Sequence, residues 1–125
     1  MSLREKLSSA ASSPPRKVTI TTMGYEGDYY VRGLTIGQRD RYEGACLKEK
    51  SVKGKLFQSV NTENMRARLL ALCLVDADGT REFEESADDM AALAKLPATV
   101  GEPLFEAARE ESGMSEKDLE ELAGN

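Results

Sequence analysis

The sequence predicts an α+β fold in which an N-terminal β-hairpin is followed by a mainly α-helical bundle of about four to five helices. Residues 17–34 contain two runs of β-branched and aromatic residues around a Gly-rich turn, which is typical of a hairpin. From residue 35 onward, helix-capping residues precede apolar residues spaced three to four apart. Apolar residues make up 40% of the chain but aromatic residues only 6%, which favours a core of packed helices. The 125 residues are expected to form one domain.

Residues 1–16 are interpreted as a mobile N-terminal arm. Ser2 and Glu5 have the spacing of a capping box, which predicts a short helix over residues 3–9. Pro14 and Pro15 end a run of small residues and favour an extended chain. The hairpin of residues 17–34 then follows. Two strands are marginal alone in water, so the hairpin must pack on the helices or pair with another chain.

The helical part is predicted to span residues 35–125 and to begin with a second capping box formed by Thr35 and Gln38. Its first helix is expected to carry an apolar stripe. The stripe consists of Ile36, Tyr42, Ala45 and Cys46. Residues 48–57 interrupt the helical pattern around Gly54 and carry four lysines, so they are interpreted as a basic exposed loop.

The most buried helix is predicted between residues 61 and 74, with Asn61 or Thr62 as its cap. Its apolar residues recur at i, i+4, i+7 and i+8, and two more leucines widen the face that they form. These residues are Met65, Leu69, Leu72 and Cys73, with Leu70 and Leu74. A sharp turn at Gly79 should then give either a tight hairpin or an extended connector.

Three helices are predicted to complete the chain. Ser86 is expected to cap the first of them and Pro97 to stop it. The second should end in a Schellman motif, with Gly113 as the left-handed residue and Met114 just beyond it. Ser115 is expected to cap the third.

The composition argues against catalysis, so the chain is predicted not to be an enzyme and to bind no cofactor or metal. It contains no His, which removes the usual general base near neutral pH and the commonest neutral metal ligand. Cys46 and Cys73 lie in apolar helical patterns, which favours reduced core thiols over a disulfide. The DxDG sequence at residues 76–79 invites comparison with a calcium loop. Because Leu74 would occupy the first ligand position, a simple turn is preferred.

Charge is unevenly distributed along the chain. Residues 1–60 have a net charge of +5 and residues 61–125 a net charge of −10. This asymmetry suggests head-to-tail self-association or a polar partner surface, although a solvated exterior explains it too. The acidic total opposes nucleic-acid binding, and no segment has the roughly 18 consecutive apolar residues of a membrane span. Neither nucleic acid nor a membrane is therefore expected as a partner.

The C-terminal helices supply the residues predicted to contact a partner. Short terminal helices with few apolar anchors detach most easily, and the side chains freed in this way can bind other proteins. A local core accounts for the same pattern. The predicted partner-binding residues are Leu104, Phe105, Met114, Leu119 and Leu122.

Four segments, taken in order, resemble the tail assembly chaperones of long-tailed, lambda-like (siphovirus) bacteriophages. They are MSLREKL, YYVRGLTIGQRDRYE, NMRARLLALCLVDADGTREF and GEPLFEAAREESGMSEKDLEEL. The similarity covers most of the chain. It lies in the order of the segments and in their general residue character, since this family has no invariant chemical motif. The resemblance implies a non-catalytic assembly factor that acts in the host cytoplasm during infection and is absent from the mature virion. It further implies that the protein binds the tape measure protein, keeps it soluble and promotes polymerisation of the tail tube around it.

The resemblance also implies a longer, frameshifted form whose C-terminal extension binds the tail tube protein, with this chain similar to the shorter form. A homo-oligomer is expected as well. The alternative is a structural component of the phage tail or head-tail joint, which would be present in purified virions. A third interpretation is a small enzyme or nucleic-acid adaptor that uses the acidic clusters or the lysines of residues 48–57.

Overall fold

The computed structural model describes residues 2–10, 14–52, 55–60, 64–115 and 117–118. Within these ranges the elements are α1 (Leu3–Ala10), β1 (Arg16–Ile20), β2 (Gly27–Val31), α2 (Ile36–Cys46), β3 (Leu47–Val52), β4 (Lys55–Val60), α3 (Met65–Cys73), β5 (Leu74–Val75), α4 (Ala87–Ala94) and α5 (Ala98–Glu111). The predicted α+β class, with a hairpin ahead of a mainly helical part, is confirmed. No helix in these ranges is both long and apolar enough to cross a membrane.

The first hairpin belongs to an antiparallel sheet with strand order β1-β2-β5. Val18 of β1 lies opposite Tyr29 of β2, and Tyr30 of β2 lies opposite Val75 of β5. Both hairpin strands contact α5, so the hairpin packs on the helical part, which is one of the two predicted possibilities. β5 has only two residues, and the N-terminal half of β2 therefore extends beyond it.

A second hairpin replaces the basic exposed loop predicted for residues 48–57. β3 and β4 pair antiparallel in a separate two-stranded sheet, with Leu47 opposite Val60 and Lys50 opposite Phe57. The loop prediction was wrong because it relied on lysine content, whereas paired strands satisfy their backbone hydrogen bonds whatever charge the side chains carry. Gly54, on which the prediction also depended, lies outside the described residues.

Four predicted N-cap residues make the expected hydrogen bonds. Ser2 Oγ and Ser86 Oγ each accept a bond from the backbone N–H three residues later, both at 3.2 Å. Thr35 and Gln38 form a reciprocal pair, in which each side-chain oxygen accepts from the other residue's N–H at 3.2 and 2.9 Å. Ser115 makes the same kind of pair with the residue three positions later, at 3.1 and 2.8 Å. These bonds satisfy donors that a helix start leaves unpaired.

The start of α3 differs from its prediction. The predicted caps, Asn61 and Thr62, lie outside the described residues, and the helix begins at Met65. Asn64 precedes it in a left-handed conformation with φ of 58° and makes no side-chain capping bond. Asn adopts this conformation more readily than most residues, so the backbone turn at Asn64 starts the helix in place of a side-chain cap.

Ile36 was wrongly assigned to the buried stripe of α2, because it is 86% exposed. It precedes Tyr42 by six residues, and at 3.6 residues per turn this separation puts the two side chains on different faces. Tyr42 and Cys46 are four residues apart, and both are fully buried, as predicted.

The end of α5 is the predicted Schellman motif. The Gly113 N–H donates to the Glu110 carbonyl and the Met114 N–H donates to the Arg109 carbonyl, both at 3.0 Å. Gly113 has φ of 69°, a conformation that glycine adopts without steric cost. The motif turns the chain back, and Met114 is buried as a result.

Two clusters of buried apolar residues form the core, and α3 contributes to both. The first cluster joins the three-stranded sheet to α3, α4 and α5 and includes Val31 and Leu70. The second joins α2, α3 and α5 and includes Tyr42, Leu69 and Phe105. Six of the nine residues of α3 are buried, which confirms it as the most buried helix of the described chain.

Candidate functional site

An open apolar groove of about 430 Å³ lies between the three-stranded sheet and the helices. Its sides are formed by the N-terminal half of β2, by the turn after β5 with the segment leading to α4, and by α4 and the start of α5. We call it the acid-rimmed groove. Its lining residues are Asp28, Tyr29, Tyr30, Leu74, Val75, Asp76, Ala77, Glu82, Phe83, Ala92, Leu93, Leu96, Val100 and Leu104.

The groove exists because β5 ends early. Asp76 stops the strand, since its Oδ1 accepts hydrogen bonds from the N–H groups of Asp78 (2.8 Å) and Thr80 (3.0 Å). The chain turns at Gly79 and bridges back onto β5, so the predicted turn is a tight return and not an extended connector. β5 covers only the last two residues of β2, and the space beside the rest of β2 is the groove.

The walls of the groove are apolar. Tyr29, Phe83 and Leu96 are half-buried and pack against the first core cluster. Leu93 and Leu104 form the floor and are 5% and 0% exposed. Such a surface can bury the apolar side chains of a partner without leaving polar groups of its own unpaired.

The rim of the groove is acidic. Asp28, Asp76 and Glu82 are the charged residues among those that line it, so the described lining carries three carboxylates and no Lys or Arg. Asp28 also accepts a hydrogen bond from the Thr19 hydroxyl at 2.8 Å, which holds its carboxylate at the edge of the hairpin. Carboxylates beside an apolar surface favour a partner that carries basic residues next to apolar ones.

The predicted partner-binding residues do not share one surface. Leu104 lies in the floor of the groove, whereas Phe105 and Met114 lie in the second core cluster, at 5% and 3% exposure. Consecutive residues of a helix point about 100° apart, which separates Leu104 from Phe105. Leu119 and Leu122 lie outside the described residues. Partner contact stays a prediction for all five, and the buried Phe105 and Met114 could make it only if the end of the chain left the core.

The residues that form the groove walls were not predicted from the sequence. The sequence places Tyr29 in the predicted hairpin and Phe83 in the predicted turn segment after Gly79, but it predicts no binding site at either residue. One feature could have indicated Phe83: it is the single large apolar residue in the charged segment REFEE, residues 81–85. An apolar residue in such a segment gains stability only if it packs against another part of the chain.

Both cysteines are free, buried thiols, as predicted. Burial raises the pKa of Cys46 and raises the pKa of Cys73 to about 11, because the core solvates a thiolate poorly. Cys73 Sγ lies 3.9 Å from Ser112 Oγ. Thiols with raised pKa values are packing groups more than nucleophiles. Among the described residues, no group of three or more Cys, Asp or Glu is placed to hold a metal ion.

The free energy of unfolding is expected to fall as the pH rises from about 9 to about 11. The unfolded chain releases the Cys73 proton at the ordinary pKa of 9.0, whereas the folded chain keeps it until about 11, so alkaline pH favours the unfolded state. Burial also raises the pKa of Tyr42, which acts in the same direction. Urea denaturation at several pH values measures the decline. A Cys73→Ala variant should lose less stability over this range, and an equal loss would contradict the assignment to Cys73.

Comparisons of the chain with protein-family models, with curated proteins and with solved structures find no match.

Proposed function

We propose that this protein is a tail assembly chaperone of long-tailed bacteriophages, which binds the tape measure protein, keeps it soluble and promotes polymerisation of the tail tube around it. The acid-rimmed groove is the observation that carries the proposal, because it offers an open apolar surface beside carboxylates. The resemblance of four sequence segments to that family is the argument for this particular client. A binding role needs no catalytic residue, cofactor or metal.

A helical client segment fits the chemistry of the groove. An amphipathic helix can place apolar residues spaced three or four apart into a groove while its polar residues stay at the rim. A cavity of about 430 Å³ admits only a few side chains, so each contact would be weak. Many copies could hold a long client together and still release it when the tube forms, since weak contacts dissociate quickly.

The acidic character of the chain supports the same role. Its net charge is −5, and residues 61–125 alone carry −10. Chaperone molecules arrayed along a client would repel other such complexes, which opposes aggregation. The protein would act in the host cytoplasm during infection and be absent from the mature virion, and a longer frameshifted form would recruit the tail tube protein.

Ala92→Arg is expected to abolish client solubilisation without unfolding the protein. Ala92 is exposed on α4 and lines the groove. An arginine at this position is expected to block the entrance of the groove and to place a positive charge beside its carboxylates. Arg and Ala have similar helix propensities, which preserves α4. The matched control is Ala91→Arg, because Ala91 is exposed on the same helix and does not line the groove. Tape measure protein should stay soluble when co-expressed with the wild type or Ala91→Arg, and should precipitate with Ala92→Arg.

Three observations would argue against parts of the proposal. Equal client solubility with both arginine variants would remove the groove as the binding site. An insoluble client with the wild type would remove the chaperone function, and protein found in purified virions would favour the structural alternative. The predicted C-terminal contact is tested separately by Leu119→Asp with Leu122→Asp, and unchanged solubilisation would eliminate it.

A further inference from the structure

The helix α1 has an apolar face that no other part of the described chain covers. Leu3 and Leu7 are four residues apart and therefore lie on one face, and they are 72% and 65% exposed. Every residue from 2 to 7 is exposed. An eight-residue helix is marginal alone in water, so α1 gains stability mainly by packing its leucines against another surface.

The acid-rimmed groove is complementary to α1. The groove has apolar walls and three carboxylates at its rim, whereas α1 carries two leucines and the basic residues Arg4 and Lys6. Arg16 and Lys17 follow at the start of β1, so residues 2–17 carry four basic residues and one acidic residue. Opposite charges at the edge of an apolar contact favour docking and fix its orientation.

The other leucine-containing end of the chain does not match the groove. Leu119 and Leu122 are separated by Glu120 and Glu121. In the same contact, the carboxylates of Glu120 and Glu121 would lie near those of the groove rim, and like charges placed close together cost free energy. Of the two terminal segments, the N-terminal helix is thus the one whose charge fits.

α1 lies away from the groove of its own molecule. In the structure α1 does not line its own groove, and its leucines are exposed while the groove is open. Pro14 and Pro15 lie between α1 and β1 and restrict the ways in which the chain can fold back. Five residues, 11–15, connect α1 to β1, and a short connection favours exchange of an element between two copies over docking within one.

We propose that α1 of one copy docks in the acid-rimmed groove of a second copy, so that the protein associates head to tail. Leu3 and Leu7 pack against the groove walls formed by Tyr29, Phe83 and Leu96. A client helix and α1 then compete for the same groove, which would keep it covered until a client arrives. This competition rests on the proposed function, whereas the docking rests on the geometry alone.

Sedimentation velocity of the full chain over a range of concentrations tests the docking. The wild type should associate, and Leu3→Asp with Leu7→Asp should weaken association at least about a hundredfold, because two apolar side chains are lost from the contact. Ala92→Arg blocks the opposite side of the contact and should be monomeric too. Met23→Asp and Ala91→Arg are controls that change exposed residues outside α1 and the groove, and they should associate like the wild type.

Mixing the two monomeric variants distinguishes docking between copies from docking within one. The Ala92→Arg variant retains α1, and the Leu3→Asp, Leu7→Asp variant retains an open groove. The mixture should therefore form one-to-one complexes that grow no further. A mixture that stays monomeric overturns the proposal, and so does a monomeric wild type or an association unaffected by the variants. The altered residues are exposed, so circular dichroism should show each variant folded.

Client solubilisation separates this proposal from the proposed function. The Leu3→Asp, Leu7→Asp variant should keep tape measure protein soluble at a lower chaperone concentration than the wild type, because α1 no longer competes. Association without client binding would contradict the chaperone function alone. Client binding without association would contradict the docking alone.

Discussion

Replacing Leu104 with alanine is expected to lower the free energy of unfolding by about 2–5 kcal/mol. Leu104 is fully buried in the first core cluster, where the sheet meets α3, α4 and α5. Truncation removes its apolar contacts and leaves a cavity that the packed surroundings fill only in part. A loss of this size is a large share of the 5–15 kcal/mol that stabilises a typical domain. Urea denaturation followed by circular dichroism measures it.

Leu7→Ala provides the comparison for Leu104→Ala. The same side-chain atoms are removed, but Leu7 is 65% exposed, so the free energy of unfolding of the monomer should change by less than about 0.5 kcal/mol. A Leu104→Ala variant as stable as the wild type would contradict the burial of this residue. It would favour the predicted partner-binding role of Leu104 over a role in the core.

The helix boundaries that the sequence predicted correctly depend on contacts between residues close in the chain. Thr35 and Gln38 bond each other across one helical turn, and Ser86 bonds the backbone three residues later. Gly113 ends α5 by adopting a left-handed backbone conformation, which depends on this one residue and not on distant contacts. Such features are present in the sequence as short patterns, so they can be recognised without knowledge of the fold.

The errors concern features that depend on more distant or less specific information. β3 and β4 were not predicted, because the lysines of residues 48–57 indicate only that the segment is exposed to solvent. Whether a segment forms a strand depends also on the strand with which it pairs. Ile36 is apolar but exposed, because its six-residue separation from Tyr42 places it on another face of α2, so apolar character alone does not identify the buried face. Asn64 begins α3 through backbone conformation, and no capping pattern marks it.

The acid-rimmed groove could not be located from the sequence because its parts are distant in the chain. Tyr29 belongs to β2, Phe83 to the segment before α4, and Leu96 to the link between α4 and α5. They meet only because β5 ends at Val75 and leaves part of β2 uncovered. The acidity of the C-terminal half was visible in the sequence, but the position of carboxylates beside an apolar surface was not.

Gly33 lies where the connection from β2 to α2 crosses the end of α5. Its neighbours are both held, because the Arg32 N–H donates to a carbonyl at the end of α3 (2.9 Å) and the Leu34 N–H donates to Ser112 Oγ (3.0 Å). A Cβ added at Gly33 would overlap the carbonyl oxygen of Glu111 and lie 2.7 Å from its carbonyl carbon. These are backbone atoms of a helix end, which cannot rotate away as a flexible side chain can.

Gly33→Ala is therefore expected to destabilise the protein by about 3 kcal/mol, since the crossing segments must separate to admit one methyl group. The matched control is Gly44→Ala in α2, where an added Cβ meets no atom within 4 Å apart from the adjoining helix backbone. Alanine also has a higher helix propensity than glycine, so stability should rise by up to about 1 kcal/mol. Opposite signs for the same chemical change separate a steric effect from a general effect of removing glycine. Urea denaturation of the two variants measures both values, and a Gly33→Ala protein as stable as the wild type would mean that the β2–α2 connection does not cross α5 at this distance.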